Sequence, residues 1–251
     1  MKVSIITVCF NSVATIRETI ESVLAQDYPN IEYIVVDGAS KDGTRDIVRE
    51  YQNKIDVVIS EPDKGIYDAM NKGIRIATGD VVGLLNSDDF YADNSSVRQL
   101  IECMVDAGSD TVYADVTIVN AKDTCRVVRY YNSSTFHPGR LRYGWMPAHP
   151  TFIVKRKLYE THGDFSLDYR IAADFEMVVR LLHAAGASYA YLPAAVIKMR
   201  AGGISTRGLK SSWVLNCEIV RACRENGLET NLLRVLLKIP AKLTELIGNH
   251  R

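Results

Sequence analysis

The chain opens by alternating short, continuous apolar runs with stretches whose apolar residues recur every three or four positions. Val3–Cys9, Ile31–Val36, Ile55–Ser60 and the run that opens Val81–Phe90 have the length and β-branched content of buried strands. Between them, Val13, Ile16, Ile20, Val23 and Leu24 fall on one helical face, with Asn11 or Ser12 as cap and Pro29 as stop. Ile47, Val48 and Tyr51 mark a shorter helix after the turn Asp42-Gly43-Thr44. Ile66, Ala69, Met70, Gly73, Ile74 and Ala77 mark a third, between the loop Glu61–Gly65 and the turn Thr78-Gly79-Asp80. This alternation predicts an α/β fold, a mostly parallel sheet with right-handed crossovers.

The second half is less periodic. Ser95 caps a helix carrying Val97, Leu100, Ile101, Met104 and Val105. Thr111–Tyr113, Val116–Val119 and Cys125–Tyr130 read as short strands. Tyr131–Met146 has no period and holds Tyr131, Phe136, Tyr143 and Trp145, whose rings suit either a core or a sugar face. Then follow a strand at Thr151–Val154, a helix at Lys155–His162, a helix carrying Phe175, Val178, Val179 and Leu182, and strands Ser188–Leu192 and Val196–Arg200 around Pro193. Ala201–Arg207 is glycine-rich and suits either a lid or a linker. From Leu209 the pattern is helical, with Pro240 kinking the second helix. The expected organisation is one domain over 1–205 and a helical appendage over 206–251.

Composition narrows the function. Of 251 residues, 47% are hydrophobic and 24% charged, the usage of a globular protein, and net charge is zero, so no global field draws in nucleic acid. Five cysteines without a C-x-x-C pair argue for a reducing compartment. With no secretory segment and no apolar run of membrane-spanning length, a cytoplasmic location is expected. Arg234, Lys238 and Lys242 recur every four residues beside a leucine-rich face, so 231–251 suits peripheral contact with the inner face of a membrane, or packing on the domain.

The predicted strands end in polar residues: Asn11 and Ser12, Asp37, Glu61 and Asp63, then Asn86-Ser87-Asp88-Asp89. Parallel strands bring these ends to one edge, where α/β sheets bind ligands. Asp88 and Asp89 are hard oxygen donors suited to Mg²⁺ or Mn²⁺ shared with substrate phosphates. Neither G-x-G-x-x-G nor a P-loop is present, which excludes dinucleotide and P-loop chemistry.

Thr7-Val8-Cys9-Phe10-Asn11-Ser12, Val35–Thr44, Ser60–Gly73 and Asn86-Ser87-Asp88-Asp89 together resemble the family 2 glycosyltransferases, over about Met1 to Ser205. The resemblance is strongest to bacterial members of O-antigen, capsule or exopolysaccharide assembly. It implies a GT-A (Rossmann-like) fold, an inverting mechanism, a nucleotide-sugar donor, most often a UDP-sugar, and an acceptor hydroxyl on a glycan or lipid-linked sugar. It puts Asp37 on the base and Asp63 beside base and ribose, with further donor contacts from Thr7, Cys9, Asn11, Lys64 and Asn71. The family's D-x-D pattern falls on Asn86, Ser87 and Asp88. Asn86 departs from it, but an amide still accepts a ribose hydroxyl. The metal would then hang chiefly on Asp88, with Asp89 as a second candidate. Asp174, at a helix start, resembles the position of the family's base, with Glu176 as fallback. A helix-start carboxylate also serves the helix dipole. His149, Trp145 and Arg200 are candidates for acceptor or phosphate contact. The Q-x-x-R-W signature of processive synthases is absent, which implies one sugar per encounter. Two alternatives remain: a nucleotidyltransferase making nucleotide sugars, and a non-catalytic nucleotide-binding homologue.

Overall fold

The computed structural model describes residues 1–202 and 208–237. Among these, nine strands form one sheet ordered β3-β2-β1-β4-β8-β6-β9-β5, with β7 (Val127–Tyr131) beside β6. The first half is parallel: β1 (Val3–Cys9) lies between β2 (Ile31–Asp37) and β4 (Val81–Asn86), and β3 (Val57–Ser60) pairs with β2. The crossovers are α1 (Ile16–Leu24), α2 (Thr44–Glu50) and α3 (Ile66–Ile76). The second half is mixed. There β8 (Ile153–Lys155) is antiparallel to both β4 and β6 (Thr111–Val119), while β9 (Tyr189–Arg200) runs parallel to β6.

Both faces of the sheet are covered, so its central strands are apolar on both sides. Ile6, Val8, Ile34, Val36, Val82 and Leu84 pack toward α3, α6 (Ala173–Val179) and α7 (Gly208–Glu225). Val3, Ile5, Tyr33, Val35, Val81 and Leu85 pack toward α1 and α4 (Ser96–Asp106). Ile219, Ala222 and Cys223 of α7, and Val235 of α8 (Leu232–Leu236), belong to the first of these cores. The C-terminal helices therefore share the core of the sheet domain.

Several elements differ from the sequence expectation. The Val81–Phe90 run is two strands: the chain turns at Ser87-Asp88, and β5 (Asp89–Tyr91) pairs antiparallel with β9. The two strands expected around Pro193 are one. The register jumps from Ala114↔Leu192 to Asp115↔Ala195, so Pro193 sits in an irregularity where its missing N–H breaks no ladder bond. Neither Asn11 nor Ser12 caps α1 through its side chain; the N-cap is Thr15, without a side-chain bond. Asn11 instead takes a left-handed φ of 50° and accepts a bond from Lys41 N. Residues 203–207 and 238–251, which hold most of the glycine-rich segment and two of the three tail cations, lie outside the described residues.

Candidate active site

Register places the polar strand ends side by side. Cys9 is opposite Asp37, Val8 opposite Asn86, and Asp37 opposite Ser60. The loops beyond are knitted together. Asn11 N donates to Ser40 Oγ (2.8 Å), and the hydroxyls of Ser12 and Ser87 lie 2.8 Å apart. Ala39, at φ 61°, holds a left-handed conformation costly for a residue with a Cβ.

Asp37 is buried. It accepts bonds from Ser60 Oγ (2.6 Å) and Ser40 N (3.2 Å). Burial, and then the Asp37 charge, push the Cys9 thiol well above its usual range, so it stays protonated 3.8 Å from Asp37 Oδ1. Asp63 arrives from the β3–α3 loop, where its Oδ1 accepts from Gly65 N (2.8 Å). Its Oδ2 lies where a Cβ on Gly38 would come within 2.3 Å, so Gly38 is what lets the two loops close. Phe10, 62% exposed, borders the same point; an exposed aromatic just past a strand end was its only sequence signal.

Asp88 and Asp89 part ways. Asp88 is half-buried, and no described residue bonds its carboxylate. Asp89 is buried, and its Oδ2 accepts from Asn86 Nδ2 (3.3 Å). Burial, reinforced by Asp88, raises Asp89 well above the usual carboxylate range. Asn86 Oδ1 is buried and has no hydrogen-bond partner. Arg200 donates to Asp88 O (2.6 Å), pairs with Glu18 and lies over the Phe90 ring at 5.0 Å. It thus clamps the Asn86–Asp89 turn from behind, and its side chain is 8% exposed.

Two expected donor residues are elsewhere. Thr7 is fully buried and accepts from Tyr33 Oη (3.1 Å). Asn71 is buried and bonds both backbone groups of Phe165, at 2.8 and 2.9 Å. Strand position and helix face put both inside, which a motif match does not reveal. Lys64 is exposed on the loop, its N donating to Asp68 Oδ2 (3.0 Å).

A second group lies around the start of α6. Asp174 is half-buried, and its Oδ1 accepts from Phe175 N (2.8 Å) and lies 3.5 Å from Tyr67 Oη. Tyr67 donates to Ile171 O and stacks on Phe165 at 5.7 Å. Burial, then Asp174, raise the Tyr67 phenol far above its usual range, so it remains a donor. His149 meets the Phe165 ring edge-on at 5.9 Å; burial lowers its pKa and the Asp174 charge opposes that. Glu176 is buried, ion-paired with Arg180 (3.0 Å) and bonded by Asn226 (3.1 Å), which removes it as a fallback base. Trp145 lies under Arg140 (4.7 Å) in a cavity of about 300 Å³ that His137, Tyr143 and Leu237 also line. Among the described residues, no helix is long and apolar enough to cross a membrane, and no three His, Cys, Asp or Glu side chains cluster as a metal cage.

Residues 4–171 match the family described as Glycosyl transferase family 2. A PGL/p-HBAD biosynthesis glycosyltransferase of Mycobacterium tuberculosis is 29% identical over 200 residues, 74% of this chain and 75% of the relative. The teichuronic acid biosynthesis glycosyltransferase TuaG of Bacillus subtilis, a putative assignment, is 41% identical over 101 residues, 39% of this chain and 40% of TuaG. In fold, the chain resembles TarS of S. aureus in complex with UDP: TM-score 0.70 at 22% identity, covering 91% of this chain and 67% of that one. It also resembles the mannosyltransferase PcManGT of Pyrobaculum calidifontis in complex with GDP-Man and Mn²⁺: TM-score 0.68 at 20% identity, covering 98% and 73%. These likenesses favour sugar transfer over nucleotidyl transfer, and with two thirds of its length matched, the chain belongs to glycosyl transferase family 2.

Proposed function

We propose that this protein is an inverting, non-processive glycosyltransferase that moves one sugar from a UDP-sugar to an acceptor hydroxyl on a lipid-linked glycan of cell-surface polysaccharide assembly. The observation that carries this reading is convergence: Asp37, Asp63 and Asp88 reach one sheet edge from three separate crossovers. The complexes of TarS with UDP and with UDP-GlcNAc support the donor class. The teichuronic acid and PGL relatives support the surface-glycan setting.

In this reading Asp37 and Asp63 receive the base, with Phe10 bordering them. The unpartnered Asn86 oxygen accepts a ribose hydroxyl, which satisfies an otherwise orphaned buried atom. Asp88 offers one free carboxylate. That fits Mg²⁺ or Mn²⁺ held jointly with substrate phosphates rather than in an all-protein cage. A bound cation would act as a Lewis acid on the departing diphosphate. Asp89 serves the turn as Asn86's partner. Asp174 takes the acceptor hydroxyl's proton. Contact with the inner membrane face through 231–251 is part of the proposal. It would be lost, as sedimentation with anionic vesicles, on deleting those residues or adding salt.

Thermal shift with UDP, with and without Mn²⁺, tests the site. Wild type should gain a midpoint rise that needs Mn²⁺, because a ligand bound only by the native state stabilises it. Asp88→Asn should lose most of that rise while keeping its fold. UDP binding that ignores EDTA would overturn the metal's part.

A further inference from the structure

The geometry points to Glu218, on α7, as the positioning residue for Asp174; this rests on the reading of Asp174 as base. One carboxylate gathers three consecutive amides. Glu218 Oε1 accepts from Arg170 N (2.8 Å), and Oε2 accepts from Ile171 N and Ala172 N (2.9 Å each). The same helix face holds the preceding residues. Arg221 donates to Asp168 O (2.9 Å) and lies 3.9 Å from the centre of the Tyr169 ring, whose hydroxyl donates to Glu225. Positions 218, 221 and 225 follow the helical repeat, so one stripe of α7 lines the whole approach to α6.

The other side of the turn is held as well. Ile171 O, the carbonyl between the captured amides, accepts from Tyr67 on α3. Ala172, the N-cap of α6, carries no side chain able to cap, and α6 has no side-chain cap bond of its own. A carboxylate 46 to 48 residues away in sequence instead holds the turn leading into α6 by charge-assisted bonds. Asp174 lies two residues beyond the last captured amide. Its backbone is therefore fixed between α7 and α3 before any substrate arrives. The C-terminal helices thus take part in the active site through this one carboxylate.

The groups facing Asp174 are Tyr67 from α3 and His149 from the turn before β8. One readout on the full chain needs no substrate: hydrogen exchange at amides 170–172. Glu218→Gln should speed exchange at those amides tenfold or more. UDP affinity with Mn²⁺ should stay within twofold, while release of UDP from UDP-GlcNAc falls at least tenfold with an unchanged donor KM. Glu218→Asp keeps the charge at shorter reach and should restore part of each effect. If the glutamine variant does not fold, the aspartate variant should show the same pattern at smaller size. Unchanged exchange at amides 170–172, or unchanged turnover, would overturn the proposal. Normal turnover in Asp174→Asn would instead remove the base reading, while exchange at 170–172 would still report Glu218's hold on the turn.

Discussion

The two sides of the site are built in opposite ways. The donor side is made of loops that follow parallel strands directly, so register alone aligns Cys9, Asp37, Ser60 and Asn86. The proposed base side is a turn, residues 165–174, that no strand carries. It is held by Tyr67 and Asn71 from α3 and by Glu218 and Arg221 from α7. The first side is a product of sheet topology, the second of contacts distant in sequence. Local damage should therefore change ligand affinity on the donor side, and turnover or stability on the base side.

The largest expected effect is at Asp174. Asp174→Asn keeps the shape and can still accept from Phe175 N, but it loses the basic oxygen. Turnover should fall by ~10² or more, with UDP affinity within a few-fold, in steady-state and calorimetric measurements. Near-normal turnover with the native acceptor would reduce Asp174 to a helix cap.

Asn71 comes next, and it separates the two sides most cleanly. The resemblance put it among donor contacts, but its amide spans both backbone groups of Phe165 from inside the core. Asn71→Ala leaves a buried N–H and C=O without partners, which costs about 2–3 kcal/mol of stability in denaturant unfolding. UDP affinity measured well below the melting transition should change little. A loss of UDP binding without a loss of stability would return Asn71 to the donor site.

The same contrast explains what was legible in the sequence. Period and punctuation gave the strand–helix alternation through β4, and the four polar strand ends followed from it. Asp37, Asp63 and Asp88 were therefore readable, because a short loop leaves a side chain close to its strand end. Asp89, the second metal candidate after Asp88, is buried. Adjacent residues at a strand start point to opposite sides, and β5 turns Asp89 inward. Arg200 is a candidate for acceptor or phosphate contact; its hold on Asp88 O depends on β5 pairing with β9, which the sequence does not display. Glu218, Tyr67 and Phe10 left almost no trace. A charged residue on an amphipathic helix reads as solvated surface until the partner turn is known.

Gly38 gives a smaller test of the donor side. A methyl group there would stand 2.3 Å from Asp63 Oδ2 and 3.2 Å from the Phe10 ring. Gly38→Ala should displace Asp63 and weaken UDP binding about tenfold, roughly 1.4 kcal/mol. The exchange of amides 170–172 should not respond. If it does, the two sides are mechanically coupled and the comparison fails.

The smallest effect is in pH, where the two sides should loosen in different windows. Under the donor half, burial works against the charge of Glu32, but bonds from Lys2, Ser4 and Thr78 outweigh it and hold its carboxyl down at about 2. A depressed carboxylate contributes stability above its unfolded value, near 4.5, and loses it as pH falls toward 2. On the base side, burial lowers His149 from 6.5, so the folded state prefers the neutral ring despite the Asp174 charge. The unfolded chain then binds a proton that the folded one resists. The stability that follows is complete above about 6.5 and declines below it. Acidifying from neutral toward pH 5 should therefore lower the amide protection factors, taken relative to the intrinsic rate at each pH, around 149 and 165 while leaving those of 32–37 unchanged. His149→Gln, which cannot gain a proton, should flatten the first response and leave the Glu32 window unchanged. Equal loosening of both regions between pH 7 and 5 would mean that the two sides unfold as one unit.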